Sequence, residues 1–116
     1  TIPSLKYMDL EGNRIKSAGA LKIREYLDRF PSLTTLVLDS TGIRDIGVKD
    51  LLPAFLNSKL RRLSLRDNKI DPSILKVVSQ IHEYKHKLKI YSLTEEHRQE
   101  RHTLLSDLVS SLKTKQ

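Results

Sequence analysis

The sequence predicts an α/β fold, a solenoid of about four strand–helix repeats that bury themselves against one another. Three observations predict it. The pattern L-x-x-[LM]-x-L-x-x-[NT]-x-I recurs, its copies begin 28 and then 27 residues apart, and after each copy the apolar period changes from two to about 3.6. A unit of this length cannot bury its own apolar face, so neighbours have to stack and share one core.

The first copy is Leu5-Lys6-Tyr7-Met8-Asp9-Leu10-Glu11-Gly12-Asn13-Arg14-Ile15; the second runs from Leu33 to Ile43 and the third from Leu60 to Ile70. A fourth begins on schedule as Leu88-Lys89-Ile90-Tyr91-Ser92-Leu93. It then decays, with Glu96 in the place of the asparagine and Arg98 in the place of the isoleucine. Four parallel strands are therefore expected over residues 7–10, 35–38, 62–65 and 89–92. Strand alternation sends Met8, Leu10, Leu36, Leu38, Leu63 and Leu65 inward and the residues between them outward. Asn13 and Asn68 follow their strands, where a carboxamide can satisfy backbone groups of the turn and of the adjoining repeat.

The second half of each repeat carries a helical stripe: Ala20, Ile23, Leu27 and Phe30, then Val48, Leu51, Leu52, Phe55 and Leu56, then Ile74, Leu75, Val78 and Ile81. Ser17 is placed to cap the first helix, and Asp71-Pro72 sets a capping carboxylate before a first-turn proline. Pro53 removes one hydrogen bond from the second, which predicts a late start, a kink or a short first segment. Residues 94–116 read as a C-terminal capping helix. Its first half, Thr94 to Thr103, is polar, and Leu104, Leu105, Leu108, Val109 and Leu112 then form a stripe suited to sealing the open edge. The same stripe also suits an amphipathic helix offered to a partner.

Strand, asparagine turn, the I-x-x-x-G of Ile15-Lys16-Ser17-Ala18-Gly19 and Ile43-Arg44-Asp45-Ile46-Gly47, and a full helix together resemble the ribonuclease-inhibitor-like subtype of leucine-rich repeats. The resemblance covers about residues 4 to 93, and the third copy departs from it with Ile74 in the place of the glycine. It implies a curved parallel sheet on the concave side, helices on the convex side, and a protein ligand in the hollow. The same subtype is that of the Ran GTPase-activating proteins, and the tropomodulin C-terminal domain is a similar short array ending in a helix. A regulatory or actin-directed role is thus the alternative. No residue carries over as catalytic, because Asn13 and Asn68 are explained by the turn.

At 116 residues the chain reads as a single domain. It has no cysteine, hence none of the disulfide-bonded caps of secreted repeat domains, and an intracellular, cytoplasmic setting is expected. No apolar run approaches the ~18 residues that cross a membrane. Nothing before Leu5 caps the first repeat, so the chain is expected to be a fragment whose repeat 1 stacks on a preceding segment or on another copy.

Catalytic chemistry is thin. There is no glycine-rich phosphate loop, no cysteine nucleophile and no serine elbow, so a non-enzymatic domain without cofactor is expected. His82-Glu83-Tyr84-Lys85-His86 does match H-E-x-x-H. By register, however, His86 takes the place of Pro31, in the loop entering a strand, which would end the helix and spoil the i, i+4 geometry. A third ligand would have to be His97 or His102, so the match is read as incidental and no metal is expected.

Recognition is the better-supported chemistry. The outward residues Tyr7, Asp9, Glu11, Thr35, Val37, Asp39, Arg62, Ser64 and Arg66 form the expected contact surface for a protein, with Tyr7 its anchor. The net charge is +7 and unevenly spread. Lys59 and Lys87 stand one residue before Leu60 and Leu88, which open their copies, Arg61 and Lys89 stand one residue after, and strands about 4.8 Å apart would stack these into a basic ridge continued by Arg62, Arg66 and Lys69. Asp9, Glu11 and Asp39 gather at the other end. A face polarised in this way suits orienting a charged partner, one with an acidic segment. Nucleic acid is the weaker competitor, since only Tyr7 and Tyr91 offer stacking surfaces near strands.

Overall fold

A computed structural model describes residues 2–91, 103 and 106–110, and the backbone alone for 88–91. Strand β1 (Tyr7–Asp9) leads to helix α1 (Lys16–Tyr26) and a 3-10 turn (Leu27–Arg29); β2 (Thr35–Val37) leads to α2 (Asp45–Asn57), and β3 (Arg62–Ser64) to α3 (Pro72–Tyr91). The strands form one parallel sheet in the order β1-β2-β3. Tyr7 pairs with Thr35 and Thr35 with Arg62, so equivalent positions of successive repeats lie side by side.

The inward residues meet the helices as the alternation requires. Leu36, Leu38 and Ile43 of the second repeat are fully buried, and Leu63, Leu65 and Ile70 of the third nearly so. Met8, Leu10 and Ile15 of the first repeat pack against the same cluster but stay half-buried. From the helical side the core takes Ala20, Val48, Leu51, Leu52 and Phe55. In α3 the buried stripe is Ile74, Val77, Val78 and Ile81, while Leu75 is exposed. The i, i+3, i+4, i+7 spacing of those four is the true helical face, and Val77 replaces Leu75 on it.

The turns after the strands repeat too. Gly12, Ser40 and Asp67 occupy one position of the unit, and all three are left-handed, with φ of 79°, 54° and 56°. Behind them Asn68 bridges two repeats: its Oδ1 accepts from the Thr41 and Gly42 N–H groups, both at 3.0 Å, and its Nδ2 donates to the Leu38 carbonyl at 2.9 Å. Asn13, with the same place in the unit, donates only to the Leu10 carbonyl of its own turn. Gly47 is fixed by packing, since a Cβ there would lie 2.9 Å from Ser17 Cα.

Several expectations are corrected. Ser17 does not cap α1, which begins without a side-chain cap; its hydroxyl instead accepts the Arg44 N–H of the next repeat at 3.2 Å. Asp71 does cap α3, taking the Ser73 N–H at 2.8 Å. Pro53 is accommodated inside α2, which starts on time at Asp45.

The largest correction concerns the fourth repeat. The expected strand over residues 89–92 is not formed: residues 88–91 continue α3, and the sheet has three strands among the described residues. The cause is the missing break. Pro31-Ser32 and Asn57-Ser58 separate helix from strand in the first two repeats, but between Pro72 and Tyr91 there is no glycine, proline or asparagine. The Glu83–Lys87 ion pair at 2.9 Å, spaced i, i+4, supports the same run.

Of the expected C-terminal cap, residues 106–110 are helical, and Leu108 is buried within the common core cluster. Residues 94–102, Leu104, Leu105 and Leu112 lie outside the described residues.

Candidate functional site

Alternation along β1, β2 and β3 leaves one sheet face turned away from the core, and the pairing register arranges it in rows. Tyr7, Thr35 and Arg62 form one row and Asp9, Val37 and Ser64 the next. Glu11, Asp39 and Arg66 follow at the strand ends. Tyr7 is 57 % exposed, the largest apolar surface offered by the strands. Asp9, Glu11, Arg62 and Arg66 are exposed, and Thr35, Val37, Asp39 and Ser64 half-buried.

Two of the acids serve the scaffold. Asp9 Oδ1 accepts the Glu11 N–H at 2.9 Å, closing its own turn. Asp39 Oδ1 accepts the Ser64 hydroxyl at 2.7 Å and the Arg66 N–H at 2.9 Å, which ties the second repeat to the third. Arg62 and Arg66 form no ion pair among the described residues. The face therefore offers a phenol and two guanidinium groups over an uncharged centre of Thr35 and Val37.

The basic ridge does not form as expected. Lys59 and Arg61 flank the entry of β3, but Lys87 and Lys89 sit on α3, because the strand that was to carry them is helical. What α3 brings to β3 instead is His82 and Lys85. Arg62 and Ser64 share their backbone groups with β2, as the Arg62 N–H to Thr34 and Leu38 N–H to Ser64 bonds show, so Leu63 directs its groups to the outer edge. There the Leu63 N–H donates to His82 Nε2 at 3.0 Å. One helical turn on, Lys85 Nζ donates to the Ser58 carbonyl at 2.9 Å and to that of Leu60, and lies 4.9 Å from the centre of the Phe55 ring.

Both groups are electrostatically shifted. Burial, then the Arg61 charge, lowers the Lys85 pKa to about 8. Burial lowers that of His82 as well, helped by Arg62 and Lys85, and the bond from Leu63 needs its Nε2 unprotonated. The His82 ring stands edge-on to Phe55 with centroids 5.2 Å apart. The i, i+3 spacing of His82 and Lys85 was the only signal in the sequence for this clip.

His82 and His86 do lie on one continuous helix, contrary to the expected break at His86. Even so, His82 Nε2 is occupied by the Leu63 N–H, and no group of three or more His, Cys, Asp or Glu is gathered among the described residues. His97 and His102 lie outside them.

The leucine-rich repeat family model matches residues 1–23, 31–52 and 56–79, each match falling on one strand–helix unit and all three covering more than half the chain. The chain is a leucine-rich repeat protein. No curated protein and no solved structure gives a match. Leucine-rich repeat domains generally mediate protein–protein interaction, and among the described residues no helix of this one is long and apolar enough to cross a membrane.

Proposed function

We propose that this leucine-rich repeat domain recognises a protein through the open, concave face of its sheet, within the ribonuclease-inhibitor-like subtype. The observation that carries the reading is the register that sets exposed Tyr7 and exposed Arg62 at the two ends of one row, with Arg66 beyond. Aromatic and arginine side chains dominate interface energies, and a polar face whose guanidinium groups form no ion pair among the described residues selects for acidic complements. Glu11, Asp39, Asp9, Thr35, Val37 and Ser64 complete the contact surface, Asp9 and Asp39 also holding it in shape. A cytoplasmic setting accords with the absence of cysteine.

The test is an affinity pull-down with the wild-type domain, Tyr7→Ala and Arg62→Glu/Arg66→Glu, quantified by mass spectrometry. A partner retained by the wild type and lost by both variants, each folded by circular dichroism, is the result expected. Retention by all three would overturn the reading.

A second reading concerns repeat 1. Met8, Leu10 and Ile15 are half-buried where their equivalents in the second repeat are fully buried, so this end has apolar surface to bury against a preceding segment or a second copy. Sedimentation at rising concentration, with Met8→Lys as the variant, decides the second-copy case. A wild type that stays monomeric throughout counts against it.

A further inference from the structure

Where the fourth strand was expected, the structure has a groove of about 330 Å³ between β3 and α3. Its floor is apolar, from Val78 and Leu65, and Leu75 adds an exposed apolar wall. Arg62 and Arg66 stand on its rim without an ion pair among the described residues. The one carboxylate there, Asp67, accepts the Ser40 hydroxyl at 2.7 Å. Along the groove the edge of β3 is only partly used. His82 takes the Leu63 N–H, while the Leu63 carbonyl and the Leu65 N–H, which alternation sends the same way, have no partner among the described residues.

A strand edge beside an apolar floor, with positive charge on the rim, has the parts needed for strand addition: main-chain bonds give affinity and alternate side chains give specificity. We propose that this groove takes an extended peptide of alternating apolar and acidic residues as a fourth strand, beside the three that the described residues form. Its apolar side chains lie against Leu75 and Val78. Its carboxylates meet Arg62 and Arg66. The occupant is chosen by charge, since both free rim charges are positive and the acid present is engaged. The proposal rests on the reading that the domain binds a protein, and it names where an acidic segment of that protein would sit.

The test uses the whole chain and a fluorescein-labelled peptide of four alternating Val-Glu pairs, followed by anisotropy. Two control peptides replace Glu by Lys or carry N-methyl groups on alternate amides, which blocks strand pairing. Saturable binding of the acidic peptide is expected. Binding should weaken at least about tenfold with N-methylation, with Lys for Glu, and with Arg62→Glu/Arg66→Glu. Ile46→Ser, exposed on α2, should leave it within about twofold. No saturable binding, or equal binding of the N-methylated peptide, overturns the proposal. Binding that ignores N-methylation but is lost with Tyr7→Ala places the peptide on the open face, so that the groove fails and protein recognition stands. Displacement of the peptide by a single-stranded oligonucleotide at lower concentration counts against both.

Discussion

β1 and β3 are built on one sequence pattern and each has a single strand beside it among the described residues, yet they end the sheet in different ways. On the β1 side Met8, Leu10 and Ile15 remain half-buried. On the β3 side Leu63, Leu65 and Ile70 are almost wholly covered, and α3 lays His82 and Lys85 across the strand edge. The same leucines are therefore core or surface according to what stacks beside them. In a repeat array burial is set by neighbours, and the pattern alone only nominates the residues.

That contrast breaks most readily in paired substitutions. Leu38→Ala, at a site with no exposed surface, is expected to destabilise by about 2–5 kcal/mol, and the equivalent Leu10→Ala by less than half as much. Urea unfolding measures both, and equal costs would mean that repeat 1 is as well covered as repeat 2. The asparagines should follow suit at smaller scale. Asn68→Ala strips two backbone donors and several carbonyls of their partner and should cost about 1–3 kcal/mol, whereas Asn13→Ala, with one local bond, should cost about 1 kcal/mol or less.

The smallest effect is a pH dependence confined to the β3 edge. With its pKa lowered in the fold, His82 binds protons less readily there than in the unfolded chain, so its contribution is present near neutrality and lost as pH falls below about its ordinary 6.5. His82→Gln, whose carbonyl can still accept from Leu63, should show a flatter loss of melting temperature on acidification than the wild type. Lys85 acts in the same direction at higher pH: its folded value of about 8 against an ordinary 10.5 makes stability rise with pH between the two. Parallel acid profiles for wild type and His82→Gln would remove His82 from the clip.

Much of this was legible in the residues, and the failures share a cause. The three strands, the inward leucines and the asparagine turn follow from local alternation and turn chemistry, which no neighbour overrides. Leu88-Lys89-Ile90-Tyr91 carries the strand pattern too, but its residues also form helix, and nothing between Pro72 and Tyr91 stops the one already running. A match to the repeat could not show that the break before it was missing. Leu75 and Val77 flank the same stripe, and only the rotation of α3 against the core decides between them. Of the candidate face, the row containing Tyr7, Thr35 and Arg62 came directly from the register. His82 and Lys85 were hidden because their role exists only at the edge where residues 89–91 are helix and not the expected strand.

The amide proton of Leu63 tests the contact of α3 with the β3 edge most directly. Hydrogen exchange by NMR at neutral pH should find it protected in the wild type to a degree comparable with Leu38, which pairs within the sheet, and freed in His82→Ala while Leu38 stays protected. Rapid exchange of Leu63 in the wild type, or protection that survives loss of the imidazole, would contradict the claim that α3 covers this part of the β3 edge through this side chain.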